Sequence, residues 1–227
     1  MAYYNGKATC FTPSITLEGR MATLQAYEAN DMPSGDKTVY PPQGVDGFSS
    51  VKVMGAYFSA TDDVYTRVFR VRKGYGTNYD KCPHLEKVIF ERGDNLITIE
   101  GFNDNPALKE IEFVDGCCIS WDMAAFIDSP IETIRFGALI DSFINIWGGQ
   151  AQYFTNVTNV EVCDNWDMDL AFYCSPLTIE SLRNIIMNLG TVTNGQTLWL
   201  GEENLAKLAM ESSSYIEEAM AKGWSLM

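Results

Sequence analysis

Leu85-Glu-Lys-Val88-Ile-Phe90, Leu108-Lys-Glu-Ile111-Glu-Phe113, Ile131-Glu-Thr-Ile134-Arg-Phe136 and Val157-Thr-Asn-Val160-Glu-Val162 share one pattern, apolar-x-x-apolar-x-apolar. Their middle apolar residues, Val88, Ile111, Ile134 and Val160, stand 23, 23 and 26 residues apart. A period of roughly 20–29 residues marks a chain built from units that each give one short strand to a parallel ladder and return by a loop or short helix. Side chains alternate along a strand, so Val88 and Phe90 are expected inward, with Glu86, Lys87 and Ile89 outside or at the edge. Stacking the units then makes the core.

Each strand pattern follows a turn-forming segment: Lys81-Cys-Pro83, Asp104-Asn-Pro106, Asp128-Ser-Pro130 and Phe154-Thr-Asn156. Proline fixes φ and disfavours helix in the residue before it, which stops each return arm just ahead of the next strand. Upstream, Tyr65-Thr-Arg-Val68-Phe-Arg70 has the same form and is expected to be the first rung, with Val68 aligned on Val88 20 residues later.

At the C-terminal end the pattern changes to a cap. Thr178 can N-cap a helix over about 179–188, with Leu182, Ile185, Ile186 and Leu189 on one face and Gly190 as its stop. A last strand, 197–200, is expected next, then Asn204-Leu-Ala-Lys-Leu208 and a helix from about Ser214 to Lys222 ended by Gly223. Residues 1–60 differ in character. Short β-prone runs (14–17, 38–40, 51–53) are broken by Pro13, Pro33, Gly35, Pro41, Pro42, Gly44 and Gly47. The expected fold is therefore mainly β with short helices (α+β): a small β-rich module over 1–60, then a repeat region over 61–227 with a helical cap.

Ala125-Phe126-Ile-Asp-Ser-Pro-Ile131 and Ala171-Phe172-Tyr-Cys-Ser-Pro-Leu177 resemble the Ala-Phe-x-x-Cys-x-x-Leu signature of BspA-type leucine-rich repeats, and Gly101-Phe102-Asn-Asp-Asn-Pro-Ala-Leu108 is a looser copy. The resemblance covers about 62–227 and implies an irregular leucine-rich-repeat solenoid. Residues 137–156 depart from it, being longer, carrying Gly148-Gly149 and lacking an Ala-Phe pair. Thr38-Val-Tyr-Pro-Pro-Gln-Gly-Val-Asp-Gly-Phe-Ser-Ser-Val-Lys-Val53 resembles a segment of phage tail and other virion accessory proteins. The run from Leu200-Gly through Leu208, with the final Ala-Lys-Gly-Trp-Ser-Leu226, resembles the end of repeat proteins in phage and prophage structural modules. These resemblances imply a non-enzymatic virion protein, assembled in the bacterial cytoplasm. Its N-terminal module would contact other virion proteins or form a homo-oligomer, and its repeats would meet a host surface protein or glycan. BspA-type repeats also imply an alternative, a bacterial cell-surface adhesin or internalin-like module.

Thirty acidic against 16 basic side chains in 227 residues leave a formal net charge of -14, which repels phosphate backbones and anionic lipid. Nucleic acid is not an expected partner. No apolar run approaches the roughly 18 residues of a membrane span, and the start Met1-Ala-Tyr-Tyr-Asn-Gly-Lys7 lacks the order of a signal peptide, so membrane insertion and export are not expected. The six cysteines (Cys10, Cys82, Cys117, Cys118, Cys163, Cys174) have no C-x-x-C spacing and are expected reduced, as small buried hydrophobes.

Catalysis by a nucleophile and base would ordinarily need a histidine, and His84, the sole one, sits at the opening of a repeat strand where a turn or edge role is expected. Asp62-Asp63 and Glu217-Glu218 are sequence neighbours whose side chains diverge. Asp164-Asn-Trp-Asp167-Met-Asp169 is expected to be a polar turn; calcium is the alternative, though the glycine and distal glutamate of an EF-hand are missing. Gly74-Tyr-Gly76 and Gly148-Gly149 lack the context of a phosphate cradle. No catalytic residue, metal or cofactor is expected. Trp-Asp-Met recurs at Trp121-Asp122-Met123 and Trp166-Asp167-Met168. Equivalent positions in stacked units line up, so Trp121, Asp122, Trp147, Tyr153, Trp166 and Asp167 are candidates for a binding row, aromatic faces beside carboxylates suiting sugar or protein. The competing reading places the tryptophans in the core.

Overall fold

A computed structural model of the chain describes residues 85–90, 92, 96–99, 101–121, 125–144 and 151–227, and the backbone of seven strands within the first 71 residues. Those strands are β1 (Ala2–Tyr4), β2 (Lys7–Thr9), β3 (Thr12–Thr16), β4 (Met21–Gln25), β5 (Thr38–Val39), β6 (Ser50–Lys52) and β7 (Val68–Val71). β1 and β2 pair antiparallel, β3 and β4 likewise, and β6 runs parallel to β4.

The repeat pattern becomes β8 (Lys87–Phe90), β10 (Glu110–Phe113), β12 (Thr133–Phe136) and β14 (Asn159–Val162). All are parallel and in register, with Val88, Ile111, Ile134 and Val160 abreast. A second parallel sheet stacks β9 (Ile97–Thr98), β11 (Ile119–Trp121) and β13 (Phe143–Ile144) in the order β13-β11-β9. The chain thus passes alternately through two parallel ladders. Alternation buries Ile111, Phe113, Ile134, Phe136, Val160 and Val162 and leaves Glu110, Glu112, Thr133, Arg135, Asn159 and Glu161 in the outward row. Ile89 departs from the expectation, being buried although it belongs to the outward row.

The first ladder does not stop at residue 60. Its order is β14-β12-β10-β8-β7-β5, so Thr38–Val39 of the expected N-terminal module extends the same sheet. The first rung is also offset from its expected alignment: Phe69 and Val71, not Val68 and Arg70, stand beside Val88 and Phe90. A one-residue slip exchanges the two faces of a strand, and the observed register keeps an apolar residue in each row that Val88 and Phe90 define.

Inside, Phe90 stacks on Phe113 at 4.8 Å between ring centres and Phe113 on Phe136 at 5.1 Å, while Phe102 stacks on Phe126 at 5.2 Å. Offset pairs of this kind add about 0.5–1.5 kcal/mol each to the burial of the rings. Phe102 and Phe126 hold φ of 59° and 61°. The left-handed conformation costs a non-glycine residue roughly 1–2 kcal/mol, a cost that full burial of both rings offsets.

Beyond β14 the ladder closes. Successive rungs are joined by the amides of Lys109, Glu132, Thr158 and Thr178, each donating to the residue one turn back (Glu86, Lys109, Glu132 and Thr158). After Thr178 the chain does not enter another strand but turns into α1 (Ile179–Asn188), with the Thr178 hydroxyl accepting from the Ser181 amide. α1 seats Leu182, Ile185 and Ile186 in the core and turns polar side chains onto the open edge of β14. The Ser181 hydroxyl accepts from Val160 N and donates to Val160 O, Asn184 Oδ1 accepts from Val162 N, and Asn188 Nδ2 donates to Val162 O. Gly190 is not a left-handed stop, since α1 ends at an extended Leu189. A Cβ on Gly190 would lie 2.9 Å from Asn165 O, so glycine there permits the backbone of residues 165–166 to approach.

The cap is a third parallel sheet, β15 (Leu170–Ala171), β16 (Thr197–Trp199) and β17 (Ser225–Leu226), with α2 (Gly201–Glu211) and α3 (Ser213–Ala221) between the last two. β16 is therefore not the last strand. Among the described residues no helix is long and apolar enough to cross a membrane.

Candidate binding surface

A second set of residues joins the units from inside the turns. Ser129, 3% exposed, donates from its hydroxyl to Phe102 O at 2.8 Å and accepts from Asn105 N at 3.1 Å. Ser175 donates to Phe154 O at 2.8 Å, and Asn204 Nδ2 donates to Phe172 O at 3.4 Å and Ser175 O at 2.8 Å. Buried polar side chains at Ser129, Ser175 and Asn204 thus form a spine, each tied to the preceding unit. A serine or asparagine three residues after each of Phe102, Phe126 and Phe172 was its only trace in the sequence.

The outward row of the first ladder carries charge, and that charge is paired. Lys87 bridges Glu110 at 2.7 Å and Glu112, Arg135 bridges Glu110 and reaches Glu161 at 3.1 Å, and Asn159 donates to Glu161 at 2.8 Å. Along the carboxyl ends of β10, β12 and β14 runs an open trough of about 430 Å³, bordered by Glu112, Asp115, Arg135, Glu161, Cys163 and Asn184. Gly137 lies in its floor, where a Cβ would stand 2.7 Å from Asp115 N. Burial raises the Cys163 thiol above its ordinary pKa, and the carboxylates of Asp115, Asp164 and Asp167 push it the same way against a backbone hydrogen bond. Burial first, and the negative potential of this rim after it, disfavour the thiolate of Cys163.

The two described tryptophans of the expected binding row do not lie at the surface. Trp121 is 0% exposed and packs its ring against Phe113, Phe126 and Phe154 at 5.6–5.8 Å. Trp166 is 2% exposed, packs on Phe136 at 5.1 Å and donates from Nε1 to Met168 O. Both are core residues, because the alternation that buries Ile119 also buries Trp121, and an indole removes more apolar area from water than any aliphatic side chain. Tyr153 is half-buried and Asp167 exposed, on different units. Asp122 and Trp147 lie outside the described residues, as do His84, Asp62, Asp63, Gly74, Gly76, Gly148, Gly149, Cys10 and Cys82. Cys117, Cys118, Cys163 and Cys174 are free, but only Cys117 is fully buried and Cys174 is exposed, so the expectation of buried small hydrophobes holds for one of them.

Tyr153 belongs to a separate hollow. The 3-10 turn Ala151–Tyr153 and the turn at Thr155–Asn156 face the turn Asp128–Pro130 of the preceding unit across a cavity of about 320 Å³, lined by Asp128, Ser129, Pro130, Gln152, Tyr153, Thr155 and Asn156. Ser129 is committed to the spine. The remaining polar side chains of the lining hold no hydrogen bond to the described residues. Among the described residues no group of three or more His, Cys, Asp or Glu side chains is placed to hold a metal ion.

No protein-family model, no curated protein and no solved structure matches this chain.

Proposed function

We propose that the chain is a BspA-type leucine-rich-repeat solenoid acting as a non-enzymatic structural and binding protein of a bacteriophage or prophage particle. The repeats would present a recognition surface to the host, and the N-terminal strands would serve attachment or self-association. The observation that carries the solenoid is the in-register parallel ladder advancing by 23 residues from Val88 to Ile111 to Ile134. Units of this kind bury their core against neighbours and leave an extended face free for partners. The particle context rests on the resemblance of Thr38–Val53 and of the segment from Leu200 to virion accessory proteins.

The test is the protein composition of gradient-purified particles from the producing bacterium, read by mass spectrometry beside light scattering of the purified full chain. Presence in particles at fixed stoichiometry, with a homo-oligomeric mass, supports the reading. Recovery on the outer surface of particle-free cells would replace it with the adhesin alternative, and free protein in the cytosol would overturn both.

A further inference from the structure

We infer that the hollow between the turns Asp128–Pro130 and Ala151–Asn156 is a saccharide subsite, one that takes a neutral sugar ring; this deepens the recognition reading above and rests on it. Its chemistry separates it from the rest of the described surface. The charges of the ladder face are satisfied by one another, whereas Asp128, Gln152, Tyr153, Thr155 and Asn156 converge on one cavity without hydrogen bonds to the described residues. Carboxylate, carboxamide and hydroxyl groups together offer donors and acceptors in the mixture that vicinal hydroxyls require. Tyr153 and Pro130 add the apolar faces against which the C–H side of a pyranose packs.

The same lining argues against other ligands. Among the described residues no lysine, arginine or histidine borders the cavity and Asp128 is negative, so a phosphate, sulfate or carboxylate would find repulsion and no partner there. One carboxylate is too few for a calcium ion, which takes 6–8 oxygen ligands. At about 320 Å³ the hollow lies at the small end of ligand sites, roughly 300–1,000 Å³, and admits a short saccharide. Ser129 closes its floor and cannot turn toward a ligand without releasing Phe102 O and Asn105 N.

The test is a titration of the isotope-labelled full chain with the methyl glycosides of glucose, galactose, mannose and N-acetylglucosamine, each to about 50 mM, a range suited to the millimolar affinity of single sugars. The expected result is saturable amide shifts at 128–130 and 151–156 for at least one of them. Gln152→Ala and Asp128→Asn should each weaken that binding about tenfold or more with unchanged melting; asparagine tolerates the φ of 56° at position 128. Absence of saturable shifts with all four, or shifts elsewhere that Gln152→Ala does not reduce, overturns the subsite. Failure here with the protein present in particles leaves the structural role standing; sugar binding by a protein absent from particles does the reverse.

Discussion

Ser181 Oγ serves both polar groups of one backbone residue, accepting from Val160 N at 2.7 Å and donating to Val160 O at 3.0 Å. A helical side chain here occupies the place of a neighbouring strand. Ser181→Ala would leave a buried donor and acceptor unsatisfied and should lower unfolding free energy by about 2–4 kcal/mol in urea denaturation. Ser181→Ala combined with Asn184→Ala strips the edge further, and because bare edges recruit other chains, light scattering should show association that grows with protein concentration.

The polar spine makes a graded prediction. Ser129 both donates and accepts, whereas Ser175 donates to Phe154 O alone through its hydroxyl. Ser129→Ala should therefore cost about 2–4 kcal/mol and Ser175→Ala about 1–2 kcal/mol. Equal losses in parallel denaturant melts would show that the second bond of Ser129 contributes nothing.

Two glycines separate crowding from conformation. A Cβ at Gly137 would meet Asp115 N at 2.7 Å and Phe113 O at 2.8 Å, while Gly195, at φ +74°, has nothing within 4 Å. Gly195→Ala should lose only the left-handed penalty, roughly 1–2 kcal/mol. Gly137→Ala must displace backbone and should lose more, about 2–4 kcal/mol, with its largest amide shifts at 113–115.

Cys117 gives a pH dependence. Burial first, and the adjacent Cys118 second, push its thiol from 9.0 up to about 12. The folded chain keeps a proton that the unfolded chain releases near pH 9, so this contribution is whole below pH 9 and is lost as pH rises toward 12. Wild type should lose stability as pH rises from 9 toward 12 more steeply than Cys117→Ala. In thiol labelling at pH 8, exposed Cys174 should react well before Cys117 and Cys163, whose raised pKa values hold them protonated.

The ladder was legible because one short pattern repeats at fixed spacing, and Val88, Ile111, Ile134 and Val160 stand abreast as that spacing requires. The helix at 179–188 was legible from its 3.6-residue apolar spacing and the Thr178 cap. Its sealing of β14 was not, because Ser181, Asn184 and Asn188 find Val160 and Val162 only in three dimensions. Ser129 and Ser175 read as turn residues, and turns usually face water; burial by the neighbouring unit reverses that. The repeated Trp-Asp-Met left Trp121 and Trp166 open to either a surface row or the core, and both indoles are buried. The hollow at Tyr153 could not be read at all, since its two walls lie more than 20 residues apart in the chain.

The even 23-residue advance from β8 through β10 to β12 has a genetic corollary. One such segment begins and ends at equivalent points, so recombination within the coding sequence could add or remove it whole. The flanking units would meet the newcomer as they now meet each other, while α1 would still terminate the stack. Variation in reach is thereby open to this protein without redesign of either end.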